Sequence, residues 1–467
     1  MSWVLLQNSL LVSGLATVLA ASLGFLAALW LAGLEGARRK WLLGSAAVAL
    51  ALPPFLVTGC WLHWFGYTGI LRGWLPLDIY SRGGAVWILG MLYWPIAMFL
   101  VLGAWGRIEP GQLESDPALH GLGLVRWLLL PAARGALSQA VLLVSVLALN
   151  NFAVPSILQV KVFPAEIWVR FNTTWDYWAA LKLSWLLMLA PFLLIIWFSR
   201  HEVPWPRWEG RAPAWLFRRQ LGSACFRGSG GVALIAILLS VVLPLAQLIG
   251  SAATWHKLPV VLAAGKPAFL NSIGLASITA ILGVALGLIG WRWRFGWVFW
   301  VPFLLPGVLL GIALIYLFNR PWLDVFYTST GIVILAWTIR YLAVSWTVTG
   351  QARRAVDSDL TDAARLDGAA GWRLFWHVHW PQMSPLLAAG GYVTYLLCLW
   401  DVETLVLIVP PGKETLALRV FNLLHYGHNP EVDALCLWLL VLAVLPLLIW
   451  AISRRVRSAL AGKGDRA

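Results

Sequence analysis

Charge is scarce in this chain. Only 12% of its 467 residues are Asp, Glu, Lys or Arg, and acids are scarcer than bases, 20 against 34. A soluble domain carries about twice that charged fraction, so the chain cannot be soluble throughout. Cysteine is nearly absent. Cys60, Cys225, Cys398 and Cys436 are scattered with no C-x-x-C pair, which excludes a zinc-knuckle pattern and a disulfide framework. Three of them lie in or beside apolar runs, where a thiol packs as a small hydrophobe. No P-loop is present: the pairs Gly265–Lys266, Gly412–Lys413 and Gly462–Lys463 lack its glycine spacing and its Ser or Thr. No apolar run groups His, Asp or Glu at metal-ligand spacing, so no metal is expected. His425, Tyr426 and His428 read as exposed loop residues rather than ligands. The dispersed acids also argue against an integral membrane enzyme, which would group them at one membrane face.

Apolar residues fill the space that charge leaves. The chain is 60% hydrophobic with a mean hydropathy of +0.79. Its apolar runs are continuous, rich in Leu and Ala, and about 20 residues long, the length needed to cross a bilayer core. Backbone groups in lipid must be satisfied internally, and runs without alternation favour helices over a barrel. The expectation is an all-α polytopic membrane protein with about eleven spans. They fall near 8–32, 41–64, 84–105, 136–154, 178–198, 232–251, 269–290, 297–318, 330–349, 385–408 and 434–453. The first run has no Lys or Arg before it and continues to Leu31, as a retained helix rather than a cleaved signal would.

The net charge of +14 could suggest nucleic acid, but basic residues also hold cytoplasmic loops in place. With the N-terminus outside, 23 of the 34 Lys and Arg fall in inside segments, among them Arg38, Arg39, Lys40, Arg353 and Arg354. Arg340 lies within a span. The reverse orientation would invert that bias, so N-out, C-in is expected and a nucleic-acid partner is not. Tryptophan clusters such as Trp291, Trp293, Trp297 and Trp300 mark span ends as interfacial anchors.

The two halves repeat each other. Leu5–Ser13 (LLQNSLLVS) matches Ala268–Ser277 (AFLNSIGLAS), setting Asn8 against Asn271. The stretch around Pro53 matches that around Pro306, and Pro164–Asn172 matches Pro411–Asn422. The order is conserved from one half to the other, as in a duplication. Spans one to five correspond to spans seven to eleven, and the unmatched span six restores the orientation, giving parallel repeats. The division is a first repeat over 1–200, a Pro-, Trp- and Arg-rich cytoplasmic linker over 201–231, and a second repeat over 232–467.

The most specific segment runs from Asp362 to Ser384: DAARLDGAAGWRLFWHVHWPQMS. Asp357, Ser358 and Asp359 supply an N-cap and first-turn acids, a helix runs to about Leu366, and Gly368 permits the positive-φ turn that ends it. A second helix from Trp372 reaches Pro381, which cannot continue it without a break. The acid, the Ala363–Ala364 pair, Gly368 and Pro381 resemble the coupling loop of permease subunits in binding-protein-dependent ABC importers. The whole chain is similar to the fused, two-in-one permeases of ferric-iron and thiamine importers. Those have six spans per half, so one N-terminal span is missing here.

The resemblance implies a pore subunit of the inner membrane with no cofactor of its own. It also implies two separate ATPase subunits carrying ATP, an external substrate-binding protein, and the lipid bilayer as surroundings. Asp362, Ala363, Ala364 and Gly368, in a loop over 350–384, would contact one ATPase. The first-half loop, 107–135, keeps Glu114, Ala118 and Gly121 but carries Pro117 inside its helix. From Gly121 to Pro131 it is three residues shorter than from Gly368 to Pro381. It reads as degenerate, either docking more weakly or paired here in the wrong register. The outer-loop pattern PPGKETLALRVFN looks most like that of ferric-iron-type permeases, a resemblance that implies ferric iron as cargo before thiamine.

Charges inside spans are costly and usually face a bundle interior. Arg340, Asp401 and Glu403, with Asn150 and Asn151 at the equivalent first-half place, are the candidates for lining a path. An ion pair locking span nine to span ten is the competing reading. A secondary, gradient-driven transporter is the rival function, but it has no need of a protruding helix–glycine–helix loop.

Overall fold

A computed structural model describes residues 3–176 apart from 68, 76 and 115–118, scattered positions to 196, and 212–464 apart from 291–295 and 426–428. All regular structure among the described residues is helical. The chain divides into two compact units, residues 1–252 and 253–467.

In the first unit, α1 (Trp3–Ala32) lies against α4 (Arg82–Trp105). The contact is built from small residues: Ala20, Ala27 and Ala28 are fully buried, and a methyl group on Gly24 would sit 2.6 Å from Ala97 Cβ. Without a hydrophobic driving force in lipid, such close backbone approach is what holds helices together. Between them in sequence, α2 (Gly36–Ala51) and α3 (Pro54–Phe65) meet at a 91° bend. Pro53 and Pro54 cause it, since neither can donate to the preceding turn. The helix Leu122–Asn150, α5, and the helix Ala214–Gly250, α6, complete the unit together with α7 (Phe163–Thr174), which lies between them in the chain.

The second unit repeats this plan. Helix α8 (Ala252–Gly290) presents Gly283 and Gly287 to α10 (Gly331–Arg354), and added methyl groups there would meet Ser345 Oγ and Thr349 Oγ1 at 2.7 Å. This is a small-xxx-small seam. Then come α9 (Gly307–Phe318) behind Pro306, α11 (Ser358–Leu366), α12 (Gly371–Trp400), α13 (Leu416–His425) and α14 (Asn429–Gly464). Helices α3 and α9 both have 12 residues, and α4 and α10 both have 24.

The two units also share a pattern of hydrogen bonds. Asn8 Nδ2 donates to the Lys161 carbonyl at 3.0 Å, and Ser9 Oγ accepts from Phe163 N at 3.0 Å. Asn271 Nδ2 donates to the Glu414 carbonyl at 3.2 Å, and Ser272 Oγ accepts from Leu416 N at 2.8 Å. In each unit an Asn-Ser pair holds the start of the amphipathic helix that follows the break.

Among the described residues, three helices contain a π-helical turn at the same place relative to proline. Val125–Leu129 precedes Pro131, Leu238–Val242 precedes Pro244, and Phe375–His379 precedes Pro381. Proline donates no hydrogen bond and its ring crowds the carbonyl four residues back. Widening the preceding turn to i→i+5 relieves that clash and lets the helix continue. The break expected at Pro381 is therefore absent: α12 passes through it to Trp400.

Several span limits shift for related reasons. Hydropathy detects only the apolar middle of a helix, so 136–154 becomes Leu122–Asn150 and 385–408 becomes Gly371–Trp400, each starting earlier and ending at the turn that follows. The run 297–318 is interrupted at Pro306, with a short helix Trp300–Leu304 before it. The expected linker is helical over its described part from Ala214, interrupted at Gly222 (φ +71°). Most of span five, 178–198, lies outside the described residues.

Candidate functional site

The segment from Asp357 to Pro381 is a capped helix closed by a glycine turn, joined to a second helix. The Asp357 carboxylate accepts from Asp359 N at 2.8 Å, so α11 starts on an Asx cap. At its other end Gly368 (φ +83°) donates to the Arg365 carbonyl and Ala369 to that of Ala364. That pair of bonds is a Schellman ending. One side of α11 is fastened to the start of α12: Asp357 N donates to Gln382 Oε1 at 2.9 Å, and Thr361 Oγ1 lies 3.4 Å from His379 Nε2. The other side faces out. Asp362, Ala363 and Gly368 are exposed, Ala364 is half-exposed, and Leu366 is 89% exposed. Asp362 carries an exposed ion pair with Arg365 at 3.1 Å, worth little in water and free to rearrange.

The first-unit loop differs in register from the sequence reading. Gly121 (φ +58°) corresponds to Gly371 (φ +55°), not to Gly368. Each stands ten positions before its proline, Pro131 or Pro381, and each opens the helical turn leading into the π-helical turn. No residues are missing between Gly121 and Pro131; the apparent shortening came from pairing the wrong glycines. On this register Glu114 stands opposite Ala364, and Ala118 opposite Gly368. Glu114 is exposed at the end of a five-residue helix, Pro110–Glu114, while Ala118 lies outside the described residues. Gly121 is also covered: its N–H donates to the Gln220 carbonyl at 2.9 Å. A Cβ on Gly371 would meet nothing within 4 Å.

Arg340 joins both acids at once. From α10 its Nη2 reaches Glu403 Oε2 at 2.8 Å, while Nη1 reaches Thr404 Oγ1 at 2.5 Å and Asp401 Oδ1 at 3.4 Å. Asp401 follows the last residue of α12 and turns the chain, its Oδ1 accepting from Thr404 N at 3.0 Å. The Asp401 side chain is 1% exposed, that of Arg340 11% and that of Glu403 14%. Burying three charges costs several kcal/mol each, offset only by close pairing. Asp401 Oδ2 and Arg340 Nε have no hydrogen-bond partner among the described residues. Gly307, first residue of α9, is part of this knot, because a Cβ there would overlap Arg340 Nη1.

The equivalent place in the first unit is neutral. Asn150 ends α5 and is buried; Asn151 follows it, accepts from Val154 N at 3.0 Å and donates through Nδ2 to Tyr93 Oη at 3.1 Å. The turn is the same and the charge is gone. Reading the sequence missed Gly307, Thr404, Tyr93 and the Ser9/Ser272 pair. Ser9 and Ser272 were visible in the repeated Asn-Ser dipeptide; Gly307 and Tyr93 had no local signal. His425, Tyr426 and His428 cannot be placed: 426–428, and the side chain of His425, lie outside the described residues.

Comparison with known proteins gives one family and several distant relatives. Residues 282–453 match the family described as binding-protein-dependent transport system inner membrane component. The Fe(3+)-transport system permease protein FbpB 2 of Haemophilus influenzae is 21% identical over 466 residues, covering 95% of this chain and 89% of that one. The molybdate/tungstate transport system permease protein WtpB of Thermococcus kodakarensis is 29% identical over 210 residues, 42% of this chain and 81% of the relative. The putrescine transport system permease protein PotI of Escherichia coli is 24% identical over 188 residues, 39% of this chain. That alignment spans 66% of PotI, just under two thirds of its length.

Proposed function

From a multi-pass membrane chain whose residues 282–453 carry the inner-membrane component domain of binding-protein-dependent transport systems, we propose the pore subunit of an ABC importer. It lines the translocation path and catalyses nothing itself. ATP is bound and hydrolysed by two separate subunits, and an external binding protein delivers the cargo. One observation carries this reading: the helix–glycine–helix element from Asp357 to Pro381 lies inside the matched domain, fastened on one side and exposed on the other. Ala363 and Ala364 keep its outer face slim enough to enter a groove, and Asp362 offers a charge to a basic partner.

The cargo proposed is ferric iron. The support is the named Fe(3+) relative, whose alignment runs over nearly the whole of both chains; thiamine and the polyamine and molybdate classes rank behind it. Reconstitution with a partner ATPase and substrate-binding protein tests the function. Asp362→Lys or Gly368→Pro should abolish cargo-stimulated ATP hydrolysis while leaving the protein inserted. Undiminished stimulation with a normal amount of ATPase bound would overturn the role of this loop.

A further inference from the structure

Three tryptophans stack along the first turns of α12. Trp372 and Trp376 have ring centroids 5.6 Å apart at 19°, and Trp376 and Trp380 are 5.4 Å apart at 6°. Phe375 lies against this stack, 5.5 Å from Trp372 and 6.1 Å from Trp380. Trp372 is 72% exposed and Trp376 is 48% exposed. We propose that this ladder is a phospholipid-headgroup site that fixes the depth of the coupling helix in the membrane.

Length decides where the ladder sits. Helix α12 has 30 residues, about 45 Å at the α-helical rise, against a hydrocarbon core of about 30 Å. About ten residues must therefore stand outside the core. The end that does so is the first. Residues before Gly371 carry exposed charges, Asp362, Arg365 and Asp367, whereas the far end runs into the buried turn at Asp401. That puts residues 371–380 at headgroup level, where indoles concentrate because their rings are apolar and their N–H groups seek acceptors. Exposed Arg373 lies within the ladder's first turn and supplies a cation for phosphate.

An ATPase is the other macromolecule that could cover these rings. The geometry favours lipid, because the ladder lies on the helix that itself enters the bilayer. The outer face of α11 supplies a separate surface for a soluble partner. The first unit has no such ladder: on the glycine register Leu122, Arg126 and Leu130 stand at the three positions. Its exposed Trp127 instead lies under Arg126, 5.3 Å from ring centroid to guanidinium carbon.

A cysteine placed at 372 or 376, with the four native cysteines replaced, can carry an environment-sensitive fluorophore. The labelled protein is reconstituted in nanodiscs of phosphatidylcholine and phosphatidylglycerol containing headgroup-nitroxide lipid. Labels at Trp372→Cys and Trp376→Cys should be quenched about twofold or more beyond a label at Leu366→Cys, with or without ATPase. Arg373→Cys gives the same reading with every tryptophan kept. Quenching no greater than at Leu366, or quenching lost when the ATPase binds, would overturn the proposal. The lipid arm needs only a membrane chain, so it stands or falls separately from the importer function.

Discussion

The two units build the same turns and differ in what they commit to them. After α5 the chain turns on Asn151, held by a backbone N–H and the Tyr93 hydroxyl. After α12 it turns on Asp401, held by a backbone N–H and locked through Arg340, Glu403 and Thr404. The loops before Pro131 and Pro381 diverge too. Gly371 is open and preceded by a nine-residue capped helix, whereas Gly121 is half-buried, hydrogen-bonded to α6 through the Gln220 carbonyl, and preceded by a five-residue one. A duplicated fold thus needs the turn, which either Asn or Asp makes. It does not need the charge or the long knob, so those features belong to what one unit does rather than to how it folds.

The largest contrast should be between the loops. Ala364→Arg forces a charge into the centre of the proposed docking face, where a packed interface loses several kcal/mol, so transport should nearly vanish. Glu114→Arg, its counterpart on the corrected register, lands beside a short helix and should leave a measurable fraction. The pairing of Gly121 with Gly368 would instead set Ala364 against Pro117. Transport assays at matched membrane abundance decide the matter: equal losses would make the loops equivalent and remove the asymmetry.

Next in size is the charged turn. Arg340→Leu leaves Asp401 and Glu403 buried without their cation and should cost about 3–5 kcal/mol. Asn151→Ala removes one neutral partner from Val154 N and Tyr93 Oη and should cost about 1–2 kcal/mol. Thermal unfolding in detergent reads both. A triple change, Arg340→Met with Asp401→Asn and Glu403→Gln, should recover most of the loss if the knot is only a lock. Recovered stability without recovered transport would assign the charges to the path.

Much of this was legible beforehand. The apolar runs gave a helical membrane chain, and Asp357, Leu366 and Gly368 gave the start, end and turn of α11, because caps and positive-φ glycines are local properties. Arg340 could be matched to the acids because a lone charge in a span demands a partner. What failed depended on three-dimensional proximity or on tolerance. Pro381 reads as a stop, yet a π-helical turn absorbs it. The register of Gly121 was hidden because Gly368 and Gly371 lie three residues apart in the same motif, and only their place relative to the π-helical turn separates them. Gly307 was silent because its constraint comes from a side chain 33 positions away in α10.

That constraint gives a smaller contrast. Gly307→Ala would push a methyl group onto Arg340 Nη1 and within about 2.8 Å of Thr404 Oγ1, so the knot must shift, at about 1–3 kcal/mol. Pro54→Ala, at the same place in the first unit, adds no atom, because proline already carries a Cβ, and should cost less than about 1 kcal/mol. If Gly307→Ala is silent in the same melting assay, Arg340 has room to move and the knot is looser than its distances imply.

The smallest contrast tests the duplication itself. Asn271 and Asn8 each donate to a backbone carbonyl just before the amphipathic helix of their unit, at 3.2 and 3.0 Å. Losing one such bond costs about 1 kcal/mol where the carbonyl is shielded and less where water replaces it. The Asn271 bond is partly buried and the Asn8 bond is exposed, although Asn8 also accepts from Arg82 at 3.3 Å. Asn271→Ala should therefore lower stability by about 1 kcal/mol and Asn8→Ala by a few tenths, about half that at most. Protease sensitivity localises the effect: each substitution should loosen its own amphipathic helix, Leu416–His425 or Phe163–Thr174. Should Asn8→Ala prove the costlier change, or should cleavage appear elsewhere, the repeated Asn-Ser pair is a coincidence of sequence rather than a shared fastening.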